Sequence, residues 1–157
     1  MSPSVSDKVE RQVEDILSRY PRPEAALLPV LRVLQDERGF LSVSDEQWAA
    51  EKLGLPPIKV REVASFYSLF RRKAAGKYHL QVCVNVSCSL RGADDLLSHL
   101  KEKLGIAEGG TTEDGRFSLV TVECLGNCDQ AACLMINNDH YGRLDRQALD
   151  ELLEGLD

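Results

Sequence analysis

In the N-terminal half of the chain, apolar residues recur every three or four positions, and that spacing predicts helices. Between Asp7 and Tyr20 the residues Val9, Val13, Ile16, Leu17 and Tyr20 share one face, with Ser6 placed as an N-cap. The segment from Pro21 to Pro23 interrupts the pattern. A second helix carries Leu27, Leu28, Val30, Leu31 and Leu34 as far as Gly39, and its apolar face is broad enough for a central position. Ser44 and Gln47 have capping-box spacing for a third helix that ends at Gly54. A fourth is expected from about Pro57 through Phe70, with Val60, Val63, Phe66, Tyr67 and Phe70 as one core-facing stripe.

Beyond Lys77 the period changes. YHLQVCV reads as a strand that delivers Cys83 at its end, and Asn85 to Ser87 turn the chain toward a helix carrying Leu96, Leu97, Leu100 and Leu104 and stopped by Gly105. GIAEGGTTEDG is a loop. FSLVTV is the next strand, with Cys124 just past its end, and CLMI is a third. Asn137 to Asp139 turn into a short strand at His140 and Tyr141, and Asp145 caps a last helix carrying Leu149, Leu152, Leu153 and Leu156. The expected order is βαβββα, or βαββα without the shortest strand.

Charge and cysteine divide the chain at the same place. Residues 1–77 hold 13 basic and 11 acidic side chains, whereas the remainder holds 6 and 14, within a net charge of −6. All five cysteines fall in the acidic part. Both asymmetries place a boundary near residues 74–77. At 157 residues and 43% hydrophobic content the chain has room for a buried core, as one domain or two small ones.

Four of the cysteines form close pairs. Cys83 and Cys88 bracket four residues in CVNVSC, Cys124 and Cys128 bracket three in CLGNC, and 35 residues separate the pairs. Three readings compete: a [2Fe-2S] cluster, a structural zinc and two disulfides. A dinuclear cluster asks for two thiolates per iron, which two pairs would supply. Structural zinc more often takes two-residue intervals, although three or four are tolerated. Disulfides need an oxidising compartment, and the N-terminus MSPSVSDKVERQVEDIL, charged early and lacking an apolar core, does not read as a secretory signal. Cys133, in ACLMIN, reads as a small core hydrophobe.

The segments VCVNVSCSLRGADDLL and VECLGNCDQA resemble the two cluster loops of the thioredoxin-like [2Fe-2S] ferredoxins, in particular the small subunit of the NADH-oxidising module of bacterial complex I. REVASFYSLF and RGFLS resemble that family's N-terminal half, so the likeness runs from about Ser6 to the final helix. It implies an α+β fold, with an N-terminal helical bundle over residues 1–75 that docks a partner. A thioredoxin-like α/β domain over residues 76–157 would hold the cluster on two loops. Carried over residue by residue, it implies Cys83, Cys88, Cys124 and Cys128 as ligands. The family pattern usually runs on to an Ala-Pro pair, whereas here Ala132 is followed by Cys133, which leaves Cys133 as the surplus thiol. Gly126 would let CLGNC wrap closely around sulfur, Gly92 would open the following helix, and Ser87, Ser89 and Asn127 are candidate donors to sulfur.

The implied function is electron transfer within an NADH:quinone oxidoreductase. The [2Fe-2S] cluster accepts one electron from flavin mononucleotide, with both the flavin and NADH held by a partner subunit and further iron-sulfur subunits beyond. Similar subunits serve NAD-linked hydrogenases, formate dehydrogenases and bifurcating enzymes. The expected location is cytoplasmic, peripheral to the inner membrane through the host complex; the longest apolar run, AALLPVLRVL, is ten residues and is broken by Pro29 and Arg32, so any membrane association is expected through partners. His79, His99 and His140 form no C-x-H element, so Rieske ligation is not expected, and no G-x-G-x-x-G, P-loop or C-x-x-C motif is present. One rival lies in the first half. DEQWAAEKLGL, a short break and IKVREVASFY have the outline of a helix-turn-helix, with Lys59, Arg61, Arg71, Arg72 and Lys73 nearby. The acidic chain and the bulky apolar residues of the supposed recognition helix argue against nucleic acid as a partner.

Overall fold

The computed structural model describes residues 5–156, which form seven α-helices and a four-stranded sheet. The chain divides into two compact units, residues 1–74 and 75–157.

The first unit is helical. Helix α1 (Asp7–Arg19) is capped by the Ser6 hydroxyl, which accepts from the Val9 amide at 3.4 Å, and it buries Val9, Val13 and Ile16. A 3₁₀ turn at Pro23–Ala26 leads into α2 (Leu27–Arg38), ended by Gly39 at φ +81°. Helix α3 (Val43–Leu53) starts earlier than the Ser44–Gln47 spacing suggests. Ser42 is the N-cap; its hydroxyl accepts from the Asp45 amide and the Asp45 carboxylate accepts from the Ser42 amide. Ser44 instead lies inside the first turn with its hydroxyl 2.8 Å from that of Ser42.

Helix α4 (Pro57–Phe66) ends four residues before the expected Phe70. The cause is a competing set of hydrogen bonds. The buried Gln35 side chain donates to the Leu69 carbonyl at 2.9 Å and accepts from the Arg71 amide at 2.6 Å, while the Leu41 amide donates to the Arg71 carbonyl at 2.7 Å. These hold the segment after α4 out of the helical path, so Phe70 returns to the core with Val60 and Ala64. Phe66, at 79% exposure, and Tyr67 are left at the surface rather than in the core.

The second unit contains the sheet, in the order β2-β1-β3-β4. Strand β1 (Tyr78–Cys83) is central, parallel to β2 (Phe117–Val122) and antiparallel to β3 (Leu134–Ile136), which pairs antiparallel with β4 (Asp139–Tyr141). This is the four-strand form of the expected order. The parallel crossover runs through α5 (Val86–Leu90), where only a turn was expected, and α6 (Ala93–Leu104). Gly92 opens α6 at φ +94° and Gly105 closes it at φ +65°, backbone angles that favour a residue without Cβ. Helix α7 (Arg146–Glu154) is capped by the Asp145 carboxylate, which accepts from the Ala148 amide at 2.8 Å. Leu80, Val82, Leu96, Leu100, Leu119, Leu134, Ile136, Leu149 and Leu153 make one core, each burial contributing roughly 1.5–3 kcal/mol. His79 sits on β1, buried, with Nδ1 2.8 Å from the Ser118 hydroxyl.

Candidate metal centre

Topology gathers the five cysteines at one end of the sheet. Parallel strands β1 and β2 finish at that end, with Cys83 the last residue of β1 and Cys124 two residues past β2. Antiparallel β3 begins there, so Cys133, immediately before Leu134, lies beside Cys83, whose amide donates to the Cys133 carbonyl at 3.2 Å. Helix α5 carries Cys88, and Cys128 opens a 3₁₀ turn that ends at Gln130, just before the cis Ala131–Ala132 peptide.

The sulfurs fall into two environments. Cys83, Cys88 and Cys133 are buried, with their Sγ atoms all within 4.8 Å of one another. Cys88 and Cys133 Sγ are 3.6 Å apart. Cys124 and Cys128 are exposed on the loop after β2 and lie outside that group. All five are free thiols. Thus the structure brings the first expected pair together and adds Cys133 to it, while the second pair stands at the neighbouring surface. Sequence spacing assigned Cys133 to the core without placing it against Cys88. The signal that finds it is strand register, since pairing CLMI antiparallel to YHLQVC sets Cys133 beside Cys83.

Backbone amides converge on the sulfurs. Burial pushes the Cys83 thiol up, but hydrogen bonds from the Asn85 and Leu125 amides, with the Cys88 and Cys133 side chains, outweigh it, and Cys83 lies below the ordinary thiol value. Asn85 belongs to the first cysteine loop and Leu125 to the second. The Gly126 amide donates to Cys124 Sγ at 3.3 Å, with Gly126 at φ +70°. Burial raises Cys88, partly offset by the Cys133 amide. Cys133 is pushed up to about 12, by burial first and then by its contact with Cys88. Ser89, a candidate donor to sulfur, instead donates to the Val84 carbonyl at 3.1 Å. A dinuclear iron-sulfur cluster takes soft thiolates and is stabilised by amides aimed at sulfur, and this donor set fits one.

The basic residues of the helix-turn-helix reading are largely engaged within the first unit. Glu46, buried, pairs with Arg61 at 3.2 Å and Arg72 at 3.3 Å, and Lys59 pairs with Glu62 at 2.8 Å. Among the described residues, no helix is long and apolar enough to cross a membrane.

Residues 13–157 match the family model of the thioredoxin-like [2Fe-2S] ferredoxins. The chain belongs to that family. An NADH-quinone oxidoreductase subunit of Rhizobium meliloti (strain 1021) is 43% identical over 146 residues, covering 93% of this chain and 87% of the relative. NADH-quinone oxidoreductase subunit 2 of Thermus thermophilus is also 43% identical, over 92% of this chain and 81% of the relative. Among solved structures, an NAD+-reducing [NiFe]-hydrogenase in the H2-reduced state superposes with a TM-score of 0.69 at 29% identity, over 79% of this ferredoxin but only 22% of the hydrogenase chain.

Proposed function

We propose that this ferredoxin is an electron-transfer subunit of an NADH:quinone oxidoreductase and that Cys83, Cys88, Cys124 and Cys128 hold its [2Fe-2S] cluster. The observation that carries the ligand set is the meeting of both cysteine loops at one sulfur, since Cys83 receives amides from Asn85 and from Leu125. Three buried thiols are one short of what two irons require, so at least one ligand must come from the exposed pair. When bound, the cluster supplies one-electron storage. The electron would come from flavin mononucleotide in a partner subunit that oxidises NADH, because this chain has neither a dinucleotide loop nor a P-loop of its own.

The chain's own part is to hold and tune. Four thiolates contribute negative charge, and the amides of Asn85, Leu125 and Gly126 offset part of it. Exposure of Cys124 and Cys128 leaves this edge open to a partner, and Val86 and Leu90 on α5, at 66% and 82% exposure, flank Cys88 with apolar surface that a partner would cover. Residues 1–75 would add a second docking surface, with Phe66 and Leu69 among their exposed side chains. The chain would then sit on the cytoplasmic side, peripheral to the membrane through its host. The hydrogenase likeness supports the same role in an NAD-linked hydrogenase as a second reading, but identity and coverage are higher for the quinone-linked relatives.

Serine replacement of each cysteine, with iron and sulfide measured in the purified protein, tests the ligand set. C83S, C88S, C124S and C128S should each lose the cluster or change its spectrum, whereas C133S should keep it. Full clusters in both C124S and C128S would contradict it. Adding NADH to the assembled complex should produce the reduced-cluster signal, and its absence in a complex that dithionite does reduce would contradict the role.

A further inference from the structure

Cys133 lies outside the proposed ligand set, yet its thiol lies against two members of it, Cys83 and Cys88. Its Sγ is 3.6 Å from Cys88 Sγ, both residues are about 1% exposed, and its backbone amide also hydrogen-bonds to the Cys88 sulfur. The position is fixed from behind. The Cys133 carbonyl accepts from the Cys83 amide at 3.2 Å, and the next residue, Leu134, is paired with Val82 in the sheet. The side chain is therefore held against Cys88 by the central strand rather than by a mobile loop.

In the free protein either thiol of this pair can donate. Once the Cys88 sulfur is committed to iron it carries no proton, and Cys133 is the only possible donor of the two. We propose that the Cys133 thiol donates a hydrogen bond to the ligating Cys88 sulfur and thereby raises the reduction potential of the cluster. This rests on the ligand assignment made above for Cys88. Reduction adds one electron, part of whose charge resides on the sulfurs, so a donor aimed at sulfur stabilises the reduced state more than the oxidised one. Water does not screen the contact at this depth. No bond forms or breaks, and the proton stays on Cys133 throughout.

The test is a potentiometric titration of the purified protein followed by the reduced-cluster signal, with iron and sulfide counted on each sample. C133A removes the donor, C133S keeps one in nearly the same volume, and C133V fills the space without one should C133A fold poorly. Loss of a sulfur-directed bond should lower the equilibrium constant for reduction about tenfold, which is 59 mV for a one-electron couple. C133A and C133V should shift together to lower potential with the cluster intact, while C133S stays near the parent. Equal potentials for the parent and C133A would overturn the proposal, as would C133S falling as far as C133A, which would mark a packing effect. If C133A loses iron while C124A or C128A retains it, Cys133 is itself a ligand and the proposal fails. A parent protein without iron and sulfide would instead remove the ligand assignment itself.

Discussion

Gly142 follows β4, twelve positions from Gln130 in sequence but packed against it, and G142A should loosen the turn that carries Cys128. A Cβ at Gly142 would lie 2.4 Å from Gln130 Cβ and 2.8 Å from the Gln130 carbonyl oxygen. Ordinary carbon contact begins near 3.5 Å, so the first approach is short by about 1.1 Å. Neither atom is the free end of a flexible side chain, so backbone must move. The segments are also tied together, since the Arg143 amide donates to the Gln130 carbonyl at 2.7 Å and the Leu144 amide to Ala132 at 3.1 Å. Relieving the overlap stretches these bonds or shifts the Cys128–Gln130 turn. Overpacking of this kind costs about 1–3 kcal/mol, roughly a five- to 150-fold change in the folding equilibrium. The assay is chemical unfolding of the cluster-free protein, with the rate of iron loss to a chelator measured on the loaded one. G155A is the control, because a Cβ there meets backbone oxygens only at 3.5 and 3.6 Å with φ −77°. G142A should be less stable and release iron faster than G155A. Equal stability and equal release would refute the reasoning.

Three further outcomes follow from the same structure. Q35L keeps the side-chain volume but strips partners from the Arg71 amide and the Leu69 carbonyl; it should destabilise the first unit by about 1–3 kcal/mol in denaturant, and a loss below about 0.5 kcal/mol would show that solvent replaces both bonds. Arg146 holds Asp95 below the usual carboxylate range, the Thr112 hydroxyl and Arg116 amide do so for Asp114, and Lys103 and His99 for Asp150. Stability from these depressed groups is present above the unfolded value near ~3.9 and is lost as pH falls through their folded values, so the melting temperature should drop in acid. D95N/D114N/D150N should flatten that drop between about pH 5 and about pH 3, and an unchanged slope would remove these groups as its cause. Deleting residues 1–75 should abolish assembly into the host complex while sparing the cluster spectrum, because the second unit has its own core; a truncated protein that still assembles would contradict the docking role.

What was legible in the sequence followed local chemistry. Val9, Val13 and Ile16 at helical spacing, glycines at positive φ closing α2, α3 and α6, and strands that stop at cysteines were readable because neighbours in sequence decide them. What escaped depends on partners far along the chain. Nothing near Phe66 says that Gln35, some thirty residues earlier, holds the segment after α4 and leaves Phe66 and Tyr67 in solvent. The capping box expected at Ser44–Gln47 is made instead by the reciprocal Ser42–Asp45 bonds, because Ser42 too has a suitable partner three positions on and the backbone turns there. The cysteine pairs were visible as spacing. The contact between Cys88 and Cys133, 45 positions apart, was not, because the register of β1 with β3 sets Cys133 beside Cys83 and α5 then has to bring Cys88 to it.

The most direct test of the central claim is quantification of iron, sulfide and zinc in anaerobically purified protein, with EPR spectra before and after dithionite on the same sample. A [2Fe-2S] carrier held by Cys83, Cys88, Cys124 and Cys128 predicts about two irons and about two sulfides per chain, with a spin-one-half signal that appears only on reduction. Stoichiometric zinc without sulfide, in protein never exposed to oxygen, would contradict the redox role and make the centre a structural one.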